Sequence, residues 1–371
     1  MRFNLVELSG AVGDLGTFLP LAAGMAFVTG LDFGIILIFA GLANIFAGVI
    51  FGLPVAVQPM KAIAAVAIAE TLTPGAVAAA GIVLGAIMLV VGLTRLVNVM
   101  ERVVPLSVVR GIQVGVGVKL MLQAFDFVRS TPRNGPDSVT VAVVLGVALI
   151  ISHGWKRFPG ALLVFVAGLA VAFWQTPALF DRLAIGAPQI DVIVPKTSEW
   201  LTGVARGAIP QLPLTILNSV LAVCVLSGDL FPKRRIAAPR MAASVGLINV
   251  LGCWFGAIPL CHGSGGLAAQ YHFGARTGGA MVMLGIVNLL VGLLVGGFAV
   301  IVIQAYPVSF LGVMLFFAGL ELALPARDQT DTRGFAVVVI TLAGTLAVNT
   351  LAGFLMGIAV HLLMSRRRTA R

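Results

Sequence analysis

Two stretches of this 371-residue chain carry polar chemistry inside apolar surroundings, and both are suited to holding an anion. The first runs Pro54-Val55-Ala56-Val57-Gln58-Pro59-Met60-Lys61-Ala62. Gln58 can donate an amide N–H to an oxyanion, Lys61 can supply positive charge, and Met60 stands between them. Pro59 falls in the first turn of an expected helix, where a missing N–H costs nothing and a fixed φ favours initiation. A lysine in hydrocarbon is costly unless it meets a partner or a wet cavity. Lys61 therefore either faces an anion or closes an internal ion pair with Glu7, Asp14 or Glu70. The second stretch runs Pro259-Leu260-Cys261-His262-Gly263-Ser264-Gly265-Gly266 and continues to Gln270 and Tyr271. Its three glycines in four positions allow backbone to approach a ligand closely, and Ser264 and His262 add side-chain donors. Cys261 beside His262 also raises an intramembrane nucleophile. Neighbours on a helix project about 100° apart, and no third group to orient the imidazole is evident, which counts against an enzyme.

The elements that must position these residues are unusual. The segments 58–70 and 261–273 are each about 20 Å long as helix, too short for a hydrocarbon layer of about 30 Å. An irregular proline-containing stretch precedes each, Gly52–Val57 in one case and Gly256–Leu260 in the other. The expected fold is all-α and polytopic, with fourteen segments at about 10–29, 33–52, 58–70, 75–97, 104–124, 138–152, 158–175, 208–228, 240–258, 261–273, 277–303, 307–324, 334–348 and 350–364. Residues 1–175 form one seven-segment repeat and 208–371 the second, and the polar stretch 176–207 reads as an extramembrane linker. Seven is odd, so the second repeat is inverted relative to the first. Segments 3 and 10 then become half-helices from opposite faces whose N-termini meet near the bilayer centre. Each N-terminus offers unpaired N–H groups and about half a positive charge, a site for an anion. Thr17, in Gly13-Asp14-Leu15-Gly16-Thr17-Phe18-Leu19-Pro20, and Asn218, mid-way along segment 8, are further candidate contacts. Asp14, Lys61 and His262 are the candidates for coupling. Asp229 and Glu321 read as groups near an interface.

Composition sets the solvent. Hydrophobic residues make up 59% of the chain and charged residues 10%, against roughly 25% charge in a soluble domain, so the main partner is a lipid bilayer. The net charge of +10 does not point to nucleic acid, because Lys and Arg gather in short loops. With the N-terminus in the cytoplasm, seventeen of the 24 fall on cytoplasmic ends, from Arg2 through Arg102, Lys156, Arg157 and Lys233 to the terminal arginines. Five, including Arg129, Arg182 and Arg206, fall outside, the bias of the positive-inside rule. The expected location is the cell inner (plasma) membrane with both termini cytoplasmic. Cys224, Cys253 and Cys261 lie in apolar stretches without a disulfide pattern. The N-terminus does not read as a removable signal peptide, and no cofactor or metal motif is apparent.

These residues resemble the molybdate transporter family, a branch related to the sulfate permeases. The resemblance rests on Glu7 to Pro20, on Pro54 to Ala65, on Leu217 to Pro232 and on Gly252 to Tyr271. It implies uptake of molybdate, with sulfate or tungstate as the rival dianions for the same machine. It also implies a core (segments 1–4 and 8–11) that moves like an elevator against a gate (segments 5–7 and 12–14). Related permeases are often homodimers through the gate, and the sequence leaves that state and the coupling ion open. A passive anion channel is a further alternative. A nucleobase carrier fits less well, because neither half-helix starts with a carboxylate to bond a base.

Overall fold

The computed structural model describes residues 1–97, 105–152, 160–181 and 185–369. Arg102, Lys156, Arg157, Arg182 and Arg371, counted above among the loop charges, lie outside the described residues, as does His153. The helices are α1 (Leu5–Thr29), α2 (Phe33–Phe51), α3 (Lys61–Ala69), α4 (Pro74–Leu93), α5 (Leu106–Arg129), α6 (Val139–Ser152) and α7 (Gly160–Gln175). They continue as α8 (Thr197–Leu230), α9 (Ala238–Gly252), α10 (Ser264–His272), α11 (Gly279–Gln304), α12 (Val308–Ala323), α13 (Thr332–Ala347) and α14 (Thr350–Thr369). Two three-residue strands, β1 (Val57–Pro59) and β2 (Leu260–His262), precede α3 and α10.

Local chemistry accounts for several ends. Asp32 caps α2, accepting from the amides of Gly34 and Ile35 at 2.7 and 3.2 Å, and Gly52 ends the helix at φ 65°, a conformation that favours glycine. Thr73 caps α4 at Ala76, with Pro74 as its first residue. In α8, Pro210 and Pro213 remove amide donors, and the helix widens into π-turns at Gly203–Ala208 and Thr215–Leu221.

Among the described residues, six helices are long and apolar enough to cross a bilayer: α1, α2, α4, α5, α8 and Val308–Asp328, which is α12 with its last turn. A seventh results if Gly279–Leu294 and Phe298–Gln304, bent by 93°, form one span. The apolar stretches of α6, α7, α13 and α14 are shorter. Two boundaries differ from expectation. The eighth helix starts at Thr197, inside the stretch read as linker, because Thr197–Thr202 is helical and runs directly into the π-turn. The short third and tenth helices begin at Lys61 and Ser264, since Val57–Pro59 and Leu260–His262 pair as strands.

Most packing relations are preserved when each helix is exchanged with the one seven places away, although α3 packs on α5 without a comparable contact between α10 and α12. α2 packs on α11 as α9 packs on α4, α13 on α5 as α6 on α12, and α1 on α3 as α8 on α10. α5 packs on α12, and β1 on β2, each pair mapping onto itself. Glycines bring the α2 and α11 backbones together. Gly34, Gly41 and Gly48 recur every seven residues and face Gly292, Gly285 and Gly278; a Cβ at Gly41 would lie 2.6 Å from the carbonyl oxygen of Gly285. Small residues at such spacing are how helices approach closely where lipid offers no hydrophobic drive.

Candidate functional site

The two strands run antiparallel, with Val57 opposite His262, Gln58 opposite Cys261 and Pro59 opposite Leu260. The amide of Met60 adds a bond to the carbonyl of Pro259 at 2.8 Å. One asparagine from each half docks each strand. Asn44 on α2 accepts from the amide of Val57 at 3.3 Å and donates to Ala40 at 2.9 Å. Asn249 on α9 accepts from the amide of Leu260 at 2.7 Å and donates to its carbonyl at 2.6 Å. The pair fixes where α3 and α10 start.

Those starts are not equivalent. At α3 the Oε1 of Gln211, projected from the widened α8, accepts from the amides of Ala62 and Ile63 at 2.8 and 3.4 Å. Its Nε2 donates to Thr215 at 3.1 Å. The first turn of α3 is thus already capped by a side chain. At α10, Gly263 is the cap residue and makes no side-chain bond. Among the described residues no acceptor sits on the amides of Gly265 and Gly266, and a Cβ at Gly265 would meet nothing within 4 Å.

A cavity of about 380 Å³ adjoins this turn. Asp14, Thr17, Lys61 and Gly265 line it together with Phe273, Phe317 and Glu321. Its walls come from α1, α3 and α10 and from α5, α6, α7 and α12. Glu321 therefore belongs to the cavity and not merely to an interface. The ion pairs offered for Lys61 do not form within 4.0 Å among the described residues. Glu70 binds Lys119 at 2.6 Å and Arg206 at 3.0 Å, Glu7 accepts from the amides of Arg276 and Thr277, and Asp14 accepts from Gln58 Nε2.

Gln58 is buried and reaches Asp14 across α10. The glycines there make room: a Cβ at Gly266 would come 2.5 Å from Gln58 Nε2 and 2.9 Å from Asp14, and one at Gly263 would overlap Gln58 Oε1. Ser264 donates to Asn218 at 2.9 Å, so the two bond each other beside the cavity and do not line it. Met60 and Cys261 are buried. His262 is fully buried between α2 and α9. Its Nε2 lies 2.9 Å from Ser244 and its Nδ1 3.3 Å from the carbonyl of Ala56, with Phe51 edge-on at 5.4 Å. Strand alternation sends Cys261 and His262 to opposite faces, so the imidazole is a strand anchor and not a cavity donor. Gln211 and Asn249 escape a sequence reading. A polar residue in an apolar helix is the only signal they leave.

Several membrane-length apolar helices, around a cavity that adjoins a helix start without a side-chain cap, define the class as a multi-pass membrane protein. The fold matches the transmembrane domain of the cyanobacterial bicarbonate transporter BicA, with a TM-score of 0.67 and 17% identity, covering 95% of this chain and 98% of that one. It also matches SLC26A9, with a TM-score of 0.71 and 14% identity over 98% of this chain and 66% of that one. At such identities the likeness speaks for the fold alone. The family model for the molybdate transporter of the MFS superfamily matches residues 6–120 and 203–322, and Molybdate transporter 1 of Arabidopsis thaliana is 37% identical over 412 residues, covering 100% of this chain and 90% of that protein. The chain belongs to the molybdate transporter family.

Proposed function

We propose that this chain carries molybdate across the plasma membrane by alternating access, with both termini cytoplasmic. In this reading all fourteen helices are membrane segments, seven plus seven inverted, and α3 and α10 are half-helices. The core (α1–α4 and α8–α11) shifts like an elevator against the gate (α5–α7 and α12–α14). The exchange relation of the packing and the nine-residue α3 and α10 support it. Nine residues rise about 13.5 Å, less than half a bilayer core.

The observation that carries the proposal is an ammonium group with no carboxylate within 4.0 Å among the described residues, sharing one cavity with the uncapped first turn of α10. The oxyanion sits on the amides of Gly265 and Gly266, with Lys61 and Thr17 beside it. Gln58 holds Asp14, and the Ser264–Asn218 bond sets the turn. Because Gln211 already caps α3, α10 contributes more of the anion's hydrogen bonds. Asp14, a carboxylate beside a dianion, is the coupling candidate. His262, sealed by Ser244 and Ala56, drops out of both the binding and coupling sets.

Labelled molybdate uptake into proteoliposomes tests this. A lost bond to a charged group costs about 1.5–3 kcal/mol, or roughly 10- to 150-fold in affinity, which is the loss expected for Lys61→Ala. Ser264→Ala is expected to weaken uptake less. Parental uptake by both variants would remove the site. Competition by sulfate and tungstate measures selectivity, and uptake that saturates and proceeds against a gradient excludes a passive channel.

A further inference from the structure

A second hollow, of about 370 Å³, lies where α2 ends and α9 begins, lined by Val49, Phe51 and Gly52 and by Arg234, Arg235 and Arg240. Arg240 Nη2 donates to the carbonyl of Ile50 at 3.1 Å and Arg234 Nη1 to that of Gly52 at 3.5 Å. Each bond uses one of five guanidinium donors and seats the charge at the negative end of α2. Arg235 leans on Gly228 at the close of α8. Among the described residues no carboxylate lies within 4.0 Å of any of the three. Three exposed cations therefore converge on one hollow with most of their donors unused.

The surface leading away from the hollow is apolar. Leu247 and Leu251 follow Arg240 on α9 at two and three helical turns and are 36% and 59% exposed. On the adjoining α2, Val49 and Leu42 are likewise two turns apart and 56% and 46% exposed. The strip is cationic at its tip and apolar along its length, the complement of one amphiphile lying in a bilayer. Guanidinium forks match phosphate oxygens in pairs, and basic pockets between membrane helices suit anionic headgroups.

We propose that this is a binding site for an anionic phospholipid. Arg234, Arg235 and Arg240 hold the headgroup phosphate, and an acyl chain lies along Leu42, Val49, Leu247 and Leu251. The proposal depends on membrane residence but not on the transported substrate.

The test uses full-length protein, stripped of lipid in detergent and offered phosphatidylglycerol or phosphatidylcholine, with bound lipid counted by native mass spectrometry. Phosphatidylglycerol is expected to stay bound in preference to phosphatidylcholine. At about fivefold per arginine, the combined Arg234→Gln, Arg235→Gln, Arg240→Gln variant should lose about a hundredfold in retention. Arg235→Gln alone, which breaks no bond to α2, should lose about fivefold and guards against misfolding of the triple variant. A control replacing Arg95, Arg327 and Arg333 with glutamine should retain lipid like the parent. Equal retention of the two lipids, equal loss in the control, or displacement of lipid by millimolar inorganic phosphate would each overturn the proposal, the last by marking a site for free anions.

Discussion

Lys119→Met should tilt the protein toward the state open on the Glu70 side. Glu70 closes α3, and its carboxylate is held at 2.6 Å by Lys119 of α5 and at 3.0 Å by Arg206 of α8. In the proposed architecture Lys119 belongs to the gate, whereas Glu70 and Arg206 belong to the core. A core displacement breaks the first bond and keeps the second. The Lys119–Glu70 pair is 14% and 16% exposed, so its charge-assisted bond contributes about 1.5–3 kcal/mol. Arg206 still neutralises the carboxylate when Lys119 is gone, which favours the lower figure, about 1.5 kcal/mol, or roughly tenfold in the equilibrium. Arg206 is 48% exposed, its pairing is worth at most about 1 kcal/mol, and it travels with Glu70. The assay is labelling of a Thr17→Cys reporter, in a Cys224→Ser background, by an impermeant maleimide added from the Glu70 side. Labelling should rise about tenfold for Lys119→Met and less than about twofold for Arg206→Met. Equal effects, or none from Lys119→Met, would refute the reasoning that this contact spans the moving boundary.

Two further substitutions probe the site's construction. Gly266→Ala places a Cβ 2.5 Å from Gln58 Nε2 and should cut molybdate uptake at least about tenfold, whereas Gly265→Ala, with open space around it, should fold normally and lower affinity less; initial rates in proteoliposomes compare them. Asn249→Leu leaves the buried amide and carbonyl of Leu260 unpaired and should cost about 2–4 kcal/mol. Asn44→Leu, whose bond to Val57 is 3.3 Å, should cost less, as read by thermal melting in detergent.

The succession of helices was legible because hydropathy runs and their Gly/Pro interruptions are local properties. The brevity of α3 and α10 was legible for the same reason. Strand formation at Gln58 and Cys261 was not, since its cause is a pairing partner about two hundred residues away. That single omission also misplaced His262, whose direction follows from strand alternation. Thr197–Thr202 looked like linker because Glu199 and Lys196 are polar; Glu199 is in fact tied to Thr73 at 2.7 Å and to the Lys196 amide at 2.7 Å, which anchors the start of α8 beside α4. Lys61 stands out in the sequence from the cost of burying its charge, and the structure places it on the cavity wall. That Glu70 would be taken by Lys119 and Arg206 depended on tertiary geometry alone. Gln211 was invisible in the same way: its side chain stands where an anion had been expected, on amides that local sequence describes as free.

The pairing of β1 with β2 also has a consequence for how the chain is made. Val57–Pro59 leave the ribosome about two hundred residues ahead of Leu260–His262, a wait of roughly 10–40 s at ordinary elongation rates. Through that interval Val57–Pro59 lack the partner strand they pair with, and within the first half the Val57 amide can bond Asn44. Neither half can complete the pocket by itself, so the protein gains competence only when translation of its second half is well advanced.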